Sequence, residues 1–318
     1  MRLAAVGLSL WLVFSAVAGA FLAEAALHPR RRSLGEQARQ RFDPTEVAIK
    51  AADGATLRAW SIRPRAGSRG VVILLHGVGD NRLGVAGYAE LFLSRGFGVL
   101  MPDARAHGES GGELATYGVL EANDIRRWFE WVKRNERPDC IFGFGESMGA
   151  AQLLQALAAE PDFCAVAVES PFSSLREIAY DRVGQVFQTG PWLGRTVFRP
   201  AVEAAFLYAR WRYGFDLARA SPESAVATTR VPVLLIHGQN DRNIPVRHSR
   251  RIAARNPNVV LWEVPNAGHS GALGAAPREF AERVIGWFRR GAGGAGPERA
   301  EWPRCGRGCG RRGGARGG

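Results

Sequence analysis

The run Cys140-Ile141-Phe142-Gly143-Phe144-Gly145-Glu146-Ser147-Met148-Gly149-Ala150-Ala151-Gln152-Leu153-Leu154 decides how this chain folds. Its first five residues make a short apolar segment, its last five open an Ala/Leu-rich one, and G-x-S-x-G joins the two. A serine on a sharp strand-to-helix turn is held in a strained backbone. Side chains two positions to either side of it would strike the neighbouring strand and helix, and Gly145 and Gly149 remove those collisions. The turn lifts the Ser147 hydroxyl clear of the sheet edge, where the helix starting there points free N–H groups and the positive end of its dipole. Ser147 is therefore the candidate nucleophile. A glycine-rich connection with an incidental serine is the competing reading, and the rest of the chain has to decide between them.

Outward from this turn, strand-like runs fall at 47–50, 57–62, 71–75, 98–101, 141–144, 165–168, 233–236 and 259–264. Helical patterns fall at 84–95, 120–133, 150–159, 247–255 and 278–289. Two opening strands followed by strand–helix units predict an α/β fold whose mostly parallel sheet carries helices on both faces. Residues 171–225 break the alternation: they hold ten aromatic residues at helical spacing and no strand pattern. They read as a helical cap, whose aromatics would line an apolar pocket or simply pack the cap down.

A serine hydroxyl becomes a good nucleophile when a base takes its proton and an acid orients that base. Of the six histidines, His28 precedes the domain and His248 sits on a helix at the wrong end. His76, His107 and His237 lie at strand ends. Only His269 occupies the loop between the last strand and the last helix, on the same carboxyl edge of the sheet as Ser147. Asp241 follows the 233–236 strand and leaves that edge too, giving the order Ser, Asp, His. Asp103 competes for the acid role but precedes the serine, and Asp241 could equally serve as a turn or capping residue. For an oxyanion the backbone N–H of Met148 supplies one donor. The loop Leu75-His76-Gly77-Val78-Gly79 supplies a second at Val78, its glycines allowing close approach.

His76-Gly77, the segment Asp103-Ala104-Arg105-Ala106-His107-Gly108-Glu109-Ser110, the turn at Ser147, Asp241 and Gly268-His269 together resemble the α/β-hydrolase superfamily, in particular its serine aminopeptidase-like and lysophospholipase-like branch. The resemblance covers about residues 45–290. It implies an eight-stranded α/β-hydrolase fold, a Ser147-Asp241-His269 triad and an acyl-enzyme mechanism with no metal or organic cofactor. The branch usually has Arg-Gly-His-Gly where this chain has Arg105-Ala106-His107-Gly108, a segment we read as a structural loop.

The ends lie outside that resemblance. Residues 3–23 carry no charge, and as a helix they would span about 31 Å, close to the hydrocarbon thickness of a bilayer. Residues 1–27 thus read as a single-pass membrane anchor. Ala18-Gly19-Ala20 resembles a cleavage site, so a cleaved export signal is the alternative, although the run is longer than a signal's apolar region. Arg30-Arg31-Arg32 opens a basic linker, 28–44, and biases the following domain toward the cytoplasmic side. Residues 291–318 form a Gly/Arg-rich segment expected to be disordered.

The net charge of +12 suggests nucleic acid until it is apportioned. Residues 1–41 and 291–318 each hold six Arg against two acids, leaving +4 for the 249 residues between them. The domain is only mildly basic, and the tail has a single aromatic, Trp302, so nucleic-acid binding is disfavoured. Of the four cysteines, Cys140 and Cys164 start predicted strands and are expected as buried thiols. Cys305 and Cys309 have no nearby histidine to suggest a metal site.

The leading expectation is a serine hydrolase acting on a small acyl ester, and an aromatic cap with a membrane anchor would suit an apolar one. Thioesterase, amidase and peptidase chemistry would use the same triad. Dehalogenase chemistry is disfavoured because position 147 is serine and not aspartate. From other classes stand a noncatalytic hydrolase-fold scaffold and a membrane-tethered nucleic-acid binder. Neither substrate nor oligomeric state is encoded in a pattern of this kind.

Overall fold

The computed structural model describes residues 2–35, 41–63, 70–159 and 162–293. Eight strands form one sheet: β1 (Thr45–Lys50), β2 (Thr56–Ile62), β3 (Val71–Leu75), β4 (Gly98–Pro102), β5 (Ile141–Glu146), β6 (Ala165–Glu169), β7 (Val233–Gly238) and β8 (Val259–Val264). Their order is β1-β2-β4-β3-β5-β6-β7-β8. Pairings of β1 with β2 and of β2 with β4 are antiparallel, and all others are parallel. The α/β architecture and the eight-stranded, mostly parallel sheet are those expected from the sequence.

The helices are α1 (Arg2–Leu27), α2 (Ala86–Ser94), α3 (Glu121–Asn135), α4 (Ser147–Ala156), α5 (Leu175–Val186), α6 (Trp192–Arg195), α7 (Arg199–Tyr213), α8 (Pro222–Ala225), α9 (Arg247–Ala253), α10 (Ala272–Ala275) and α11 (Pro277–Ala292). Strand alternation assigns the two cores. Val72 and Leu74 face α2 and α11, packing with Phe92, Phe280 and Phe288. Val71, Ile73 and Leu75 face α3 and α4, packing with Trp128, Phe129 and Leu153. Central strands can therefore be apolar at every position. Gly143 and Gly145 of β5 are exceptions on the α4 face, where a Cβ on Gly143 would lie 2.9 Å from Leu153 Cδ2.

Helices α5 to α8 fill the connection between β6 and β7 and form the cap. A buried polar trio fastens it to the sheet domain. His248 of α9 accepts the Ser173 N–H at Nδ1 (3.1 Å), sits 2.9 Å from Ser173 Oγ, and donates from Nε2 to Asp181 Oδ2 at 2.7 Å. His248, set aside by the sequence as lying at the wrong end, is thus a buried fastening for the cap.

The N-terminal helix extends beyond the uncharged run to Leu27, and it does not stand apart. Ser15, Gly19, Ala23 and Leu27 recur every four residues and are buried against the cap. At the contact with α7 a Cβ on Gly19 would lie 2.6 Å from Ala201 O and 2.7 Å from Ala204 Cβ, so only glycine allows this approach. Glu24 accepts hydrogen bonds from Tyr208 and Tyr213, each at 2.7 Å. Tyr117 Oη donates to Ala26 O (2.8 Å), and Ala115 N–H donates to Leu27 O (2.9 Å). The remaining surface of α1 is apolar and exposed, including Leu10, Val13, Phe14, Val17 and Phe21. It is the one described helix long and apolar enough to serve as a membrane anchor or signal sequence.

Two sequence expectations need correcting. Cys140 and Cys164 are joined as a disulfide, with Cα atoms 5.8 Å apart. Each immediately precedes its strand, β5 and β6 are parallel neighbours, and so both cysteines arrive at the same edge. Gly291 and Ala292, assigned to the tail, still belong to α11, with Gly291 packed against the Cys164 backbone. The rest of the tail, including Cys305 and Cys309, lies outside the described residues.

Candidate active site

The turn between β5 and α4 has the geometry that its glycines imply. Ser147 sits at φ +52°, in the left-handed region that non-glycine residues seldom enter. A Cβ on Gly145 would lie 2.7 Å from the Gly149 backbone, and one on Gly149 would lie 2.5 Å from Leu75 O. The first glycine thus clears the helix start and the second clears the end of β3. Ser147 is largely buried, at 8% exposure.

His269 Nε2 lies 2.9 Å from Ser147 Oγ, and His269 Nδ1 donates to Asp241 Oδ2 at 2.8 Å. With Nδ1 carrying the proton, Nε2 presents its lone pair to the serine hydroxyl. The structure brings together the three side chains singled out from the sequence. Their loops interlock: Gln239 N–H donates to Val264 O and Asn240 N–H to Ala267 O, both at 3.0 Å. A Cβ on Gly238 would lie 2.3 Å from Ala267 O. Asp241 Oδ1 accepts the N–H groups of Asn243 (2.9 Å) and Ile244 (2.8 Å). Burial pushes the Asp241 carboxyl up, but the hydrogen bonds from His237 and His269 outweigh it and hold the group well below the usual carboxylate range.

Supporting residues escaped the sequence reading. His237 is buried beneath Asp241, with Nε2 at 2.7 Å from Ile244 O and 3.3 Å from Asp241 Oδ2, and Nδ1 at 2.7 Å from Ser249 Oγ. Its position at the end of β7 was visible, but its neighbour on the far side of the loop was not. The His269 loop is pinned to the end of β6, where Ser270 N–H donates to Ser170 Oγ (3.3 Å) and Ala272 N–H to Glu169 Oε1 (2.7 Å). Tyr88 Oη donates to Glu169 Oε2 at 2.8 Å. Glu146, beside the nucleophile, is pushed up to about 7 by burial and by the negative charges of Glu169 and Asp80.

The other candidates have structural partners. Asp103 is fully enclosed, accepting Arg82 N–H (2.7 Å), Arg82 Nη2 (2.6 Å) and Glu109 N–H (2.8 Å). His76 accepts the Ala104 N–H at Nε2 (3.0 Å) and donates from Nδ1 to Gly77 O (2.7 Å). Burial, with His107 close by, lowers His76 to about 4, so it is neutral. His107 donates from Nδ1 to Arg105 O at 2.8 Å. These contacts shape the loop bearing Val78, and neither the Val78 nor the Met148 N–H meets an acceptor among the described residues.

Ser147, Met148 and Val78 line one cavity of about 350 Å³, which runs beneath the cap between Phe172, Ile178 and Phe206. Its walls are apolar apart from Tyr117, Ser147 and Arg182. Three residues of α1 also reach it: Leu22, Ala23 and Ala26.

Residues 72–283 match the model of the alpha/beta hydrolase family. The uncharacterized protein YqkD of Bacillus subtilis is 28% identical over 238 residues, covering 73% of this chain and 74% of its own. The uncharacterized protein Rv2307c of Mycobacterium tuberculosis is 30% identical, covering 71% of this chain and 72% of its own. Among solved structures, the esterase Pf2001 of Pyrococcus furiosus superposes with a TM-score of 0.66 at 26% identity, over 83% of this chain and 99% of the esterase.

Proposed function

The chain belongs to the alpha/beta hydrolase family, and from that premise we propose that it is a serine hydrolase cleaving carboxylic esters through an acyl-enzyme. The observation that carries this reading is the hydrogen-bonded line Asp241–His269–Ser147 ending at an apolar cavity.

His269 Nε2 takes the Ser147 proton as Oγ attacks the ester carbonyl, and Asp241 stabilises the imidazolium that forms. The carbonyl oxygen, now negative, is held by the N–H groups of Val78 and Met148. Each such donor typically contributes a hundredfold or more in rate, about 3 kcal/mol. Collapse of the tetrahedral intermediate breaks the bond to the alcohol oxygen, which leaves with the proton from His269. Water then repeats the sequence on the acyl-Ser147 ester, with His269 as base, to release the acid and regenerate the serine. The strained φ of Ser147 keeps the hydroxyl presented throughout the cycle.

The same reading makes α1 a retained single-pass anchor. Its exposed apolar face, with Leu10, Val13, Phe14, Val17 and Phe21, would meet lipid while Ser15, Gly19, Ala23 and Leu27 stay against the cap.

A fluorophosphonate probe tests the chemistry. Wild-type protein labels at Ser147 and Ser147→Ala does not. A correctly folded wild type that resists the probe overturns the proposal.

A further inference from the structure

The helix that would hold this protein in a membrane is also a wall of its active-site cavity. We infer that α1 is a permanent part of the acyl-binding site and that the substrate is a single-chain acyl ester drawn from the bilayer along α1. The inference rests on the reading of Ser147 as nucleophile and goes beyond it by naming where the acyl chain lies and whence it comes.

Three observations carry it. First, Leu22, Ala23 and Ala26 line the cavity that holds Ser147, facing Ile178 and Phe206 of the cap. Second, α1 is built into the fold and not merely tethered to it. Gly19 seats against Ala201, Glu24 bonds two tyrosines of α7, and Leu27 is fully buried with Val202 and Leu217. Removing α1 would strip one wall from the cavity and bare the inner face of the cap, which a cleaved signal could not allow. Third, the cavity reaches the surface beside the apolar face of α1. Its lining residue Leu22 is 44% exposed and directly follows the exposed Phe21. On the cap, Val186 lines the same cavity and is exposed, and Leu207 and Trp211 extend an apolar surface along α7.

An apolar opening that adjoins a lipid-facing helix admits an acyl chain without passing it through water. The cavity of about 350 Å³ lies within the usual range of small-molecule pockets, and its apolar walls suit an acyl chain. The ester carbonyl comes to Ser147, while the chain lies between α1 and the cap.

The test uses the full-length protein in detergent micelles, with nitrophenyl esters from butanoate to hexadecanoate. Ala26→Phe intrudes on the cavity and lowers the ratio of kcat/KM for dodecanoate over butanoate by about tenfold. Leu10→Phe, on the exposed face away from the cavity, leaves that ratio unchanged. An unchanged ratio in Ala26→Phe overturns the inference while leaving the hydrolase reading intact. Loss of fluorophosphonate labelling in wild type would instead remove the hydrolase reading.

A second arm needs no catalysis. Ser147→Ala protein is irradiated with a diazirine-tagged hexadecanoic acid, and adducts are expected together on the peptide containing Leu22 and Ala26 and on that containing Ile178, both competed by unlabelled hexadecanoic acid. Adducts on α1 without Ile178 mean bulk lipid contact and overturn the assignment. So does a mature chain whose intact mass shows that it begins after residue 27.

Discussion

His237 Nε2 lies 3.3 Å from Asp241 Oδ2, the oxygen that also receives His269 Nδ1–H at 2.8 Å. The acid is therefore braced from below by one imidazole while it orients another. Asp241→Asn removes the charge and allows the wrong tautomer of His269, so kcat is expected to fall by about four orders of magnitude with KM little changed. His237→Phe removes the brace together with the bonds to Ile244 O and Ser249 Oγ but leaves the Asp241 charge in place, and a loss of about tenfold in kcat is expected. Steady-state kinetics on one ester separates the two. Equal losses would return His237 to the reacting set.

Asp103 offers the contrast. It neutralises Arg82, and both side chains are wholly buried. Asp103→Asn leaves that guanidinium only its longer 3.3 Å contact with Glu109, at a cost of about 3 kcal/mol. Reduced soluble yield and a lower denaturation midpoint are expected, with the folded fraction labelling at Ser147 as wild type does. A folded but unlabelled variant would give Asp103 the role assigned here to Asp241.

Glu146 titrates at about 7, above its unfolded value of 4.5. A raised acid stabilises the fold fully below its unfolded value, and this contribution is lost as pH climbs through the folded value. Glu146→Gln should therefore be more stable than wild type at pH 8, by an amount on the order of 3 kcal/mol, and nearly equal to it at pH 4. Thermal melts at the two pH values decide the matter. A difference that grows toward low pH would contradict the assignment.

The disulfide closes a sequence separation of 24 residues, for which chain entropy gives about 3.5 kcal/mol. Cys140→Ser with Cys164→Ser should lower the melting temperature by several degrees while fluorophosphonate labelling at 25 °C persists. A maleimide should not reach these two cysteines in denatured wild-type protein until a reductant is added. Disulfides persist in oxidising compartments, so the hydrolase domain is expected on that side of the membrane, against the bias of Arg30–Arg32. Protease protection in intact cells measures the sidedness directly.

Gly149 presses against β3. Gly149→Ala places a Cβ 2.5 Å from Leu75 O, where backbone and not a flexible side chain must move. A destabilisation of about 1–3 kcal/mol is expected, accompanied by slower labelling of Ser147 as the turn shifts. Normal labelling kinetics would show that the turn tolerates the methyl.

What the sequence made legible follows from where the signals lie. Ser147, Asp241 and His269 each stand within a few residues of the end of a recognisable strand, and parallel strands bring their carboxyl ends to one edge. Strand periodicity was enough to gather them. The disulfide needed more, because its two cysteines meet only if β5 and β6 are neighbours in the sheet, which local pattern does not state. The docking of α1 was hidden for another reason. Ser15, Gly19 and Ala23 were in plain view, yet small residues in an apolar helix suit lipid and protein contact alike. His237 was legible as a histidine at a strand end, but its role depends on the Ile244 carbonyl, which a turn brings back over it.

Ser173, His248 and Asp181 repeat the three side-chain types of the catalytic proposal, at bond lengths just as short. Chemical identity does not distinguish the two trios; access does. The imidazole of His248 is turned the other way round, proton toward Asp181 from Nε2, and all three groups are sealed from solvent. No electrophile can arrive there, so an activity-based reagent should count one reactive serine per chain although, among the described residues, Ser147, Ser173 and Ser249 each meet a histidine.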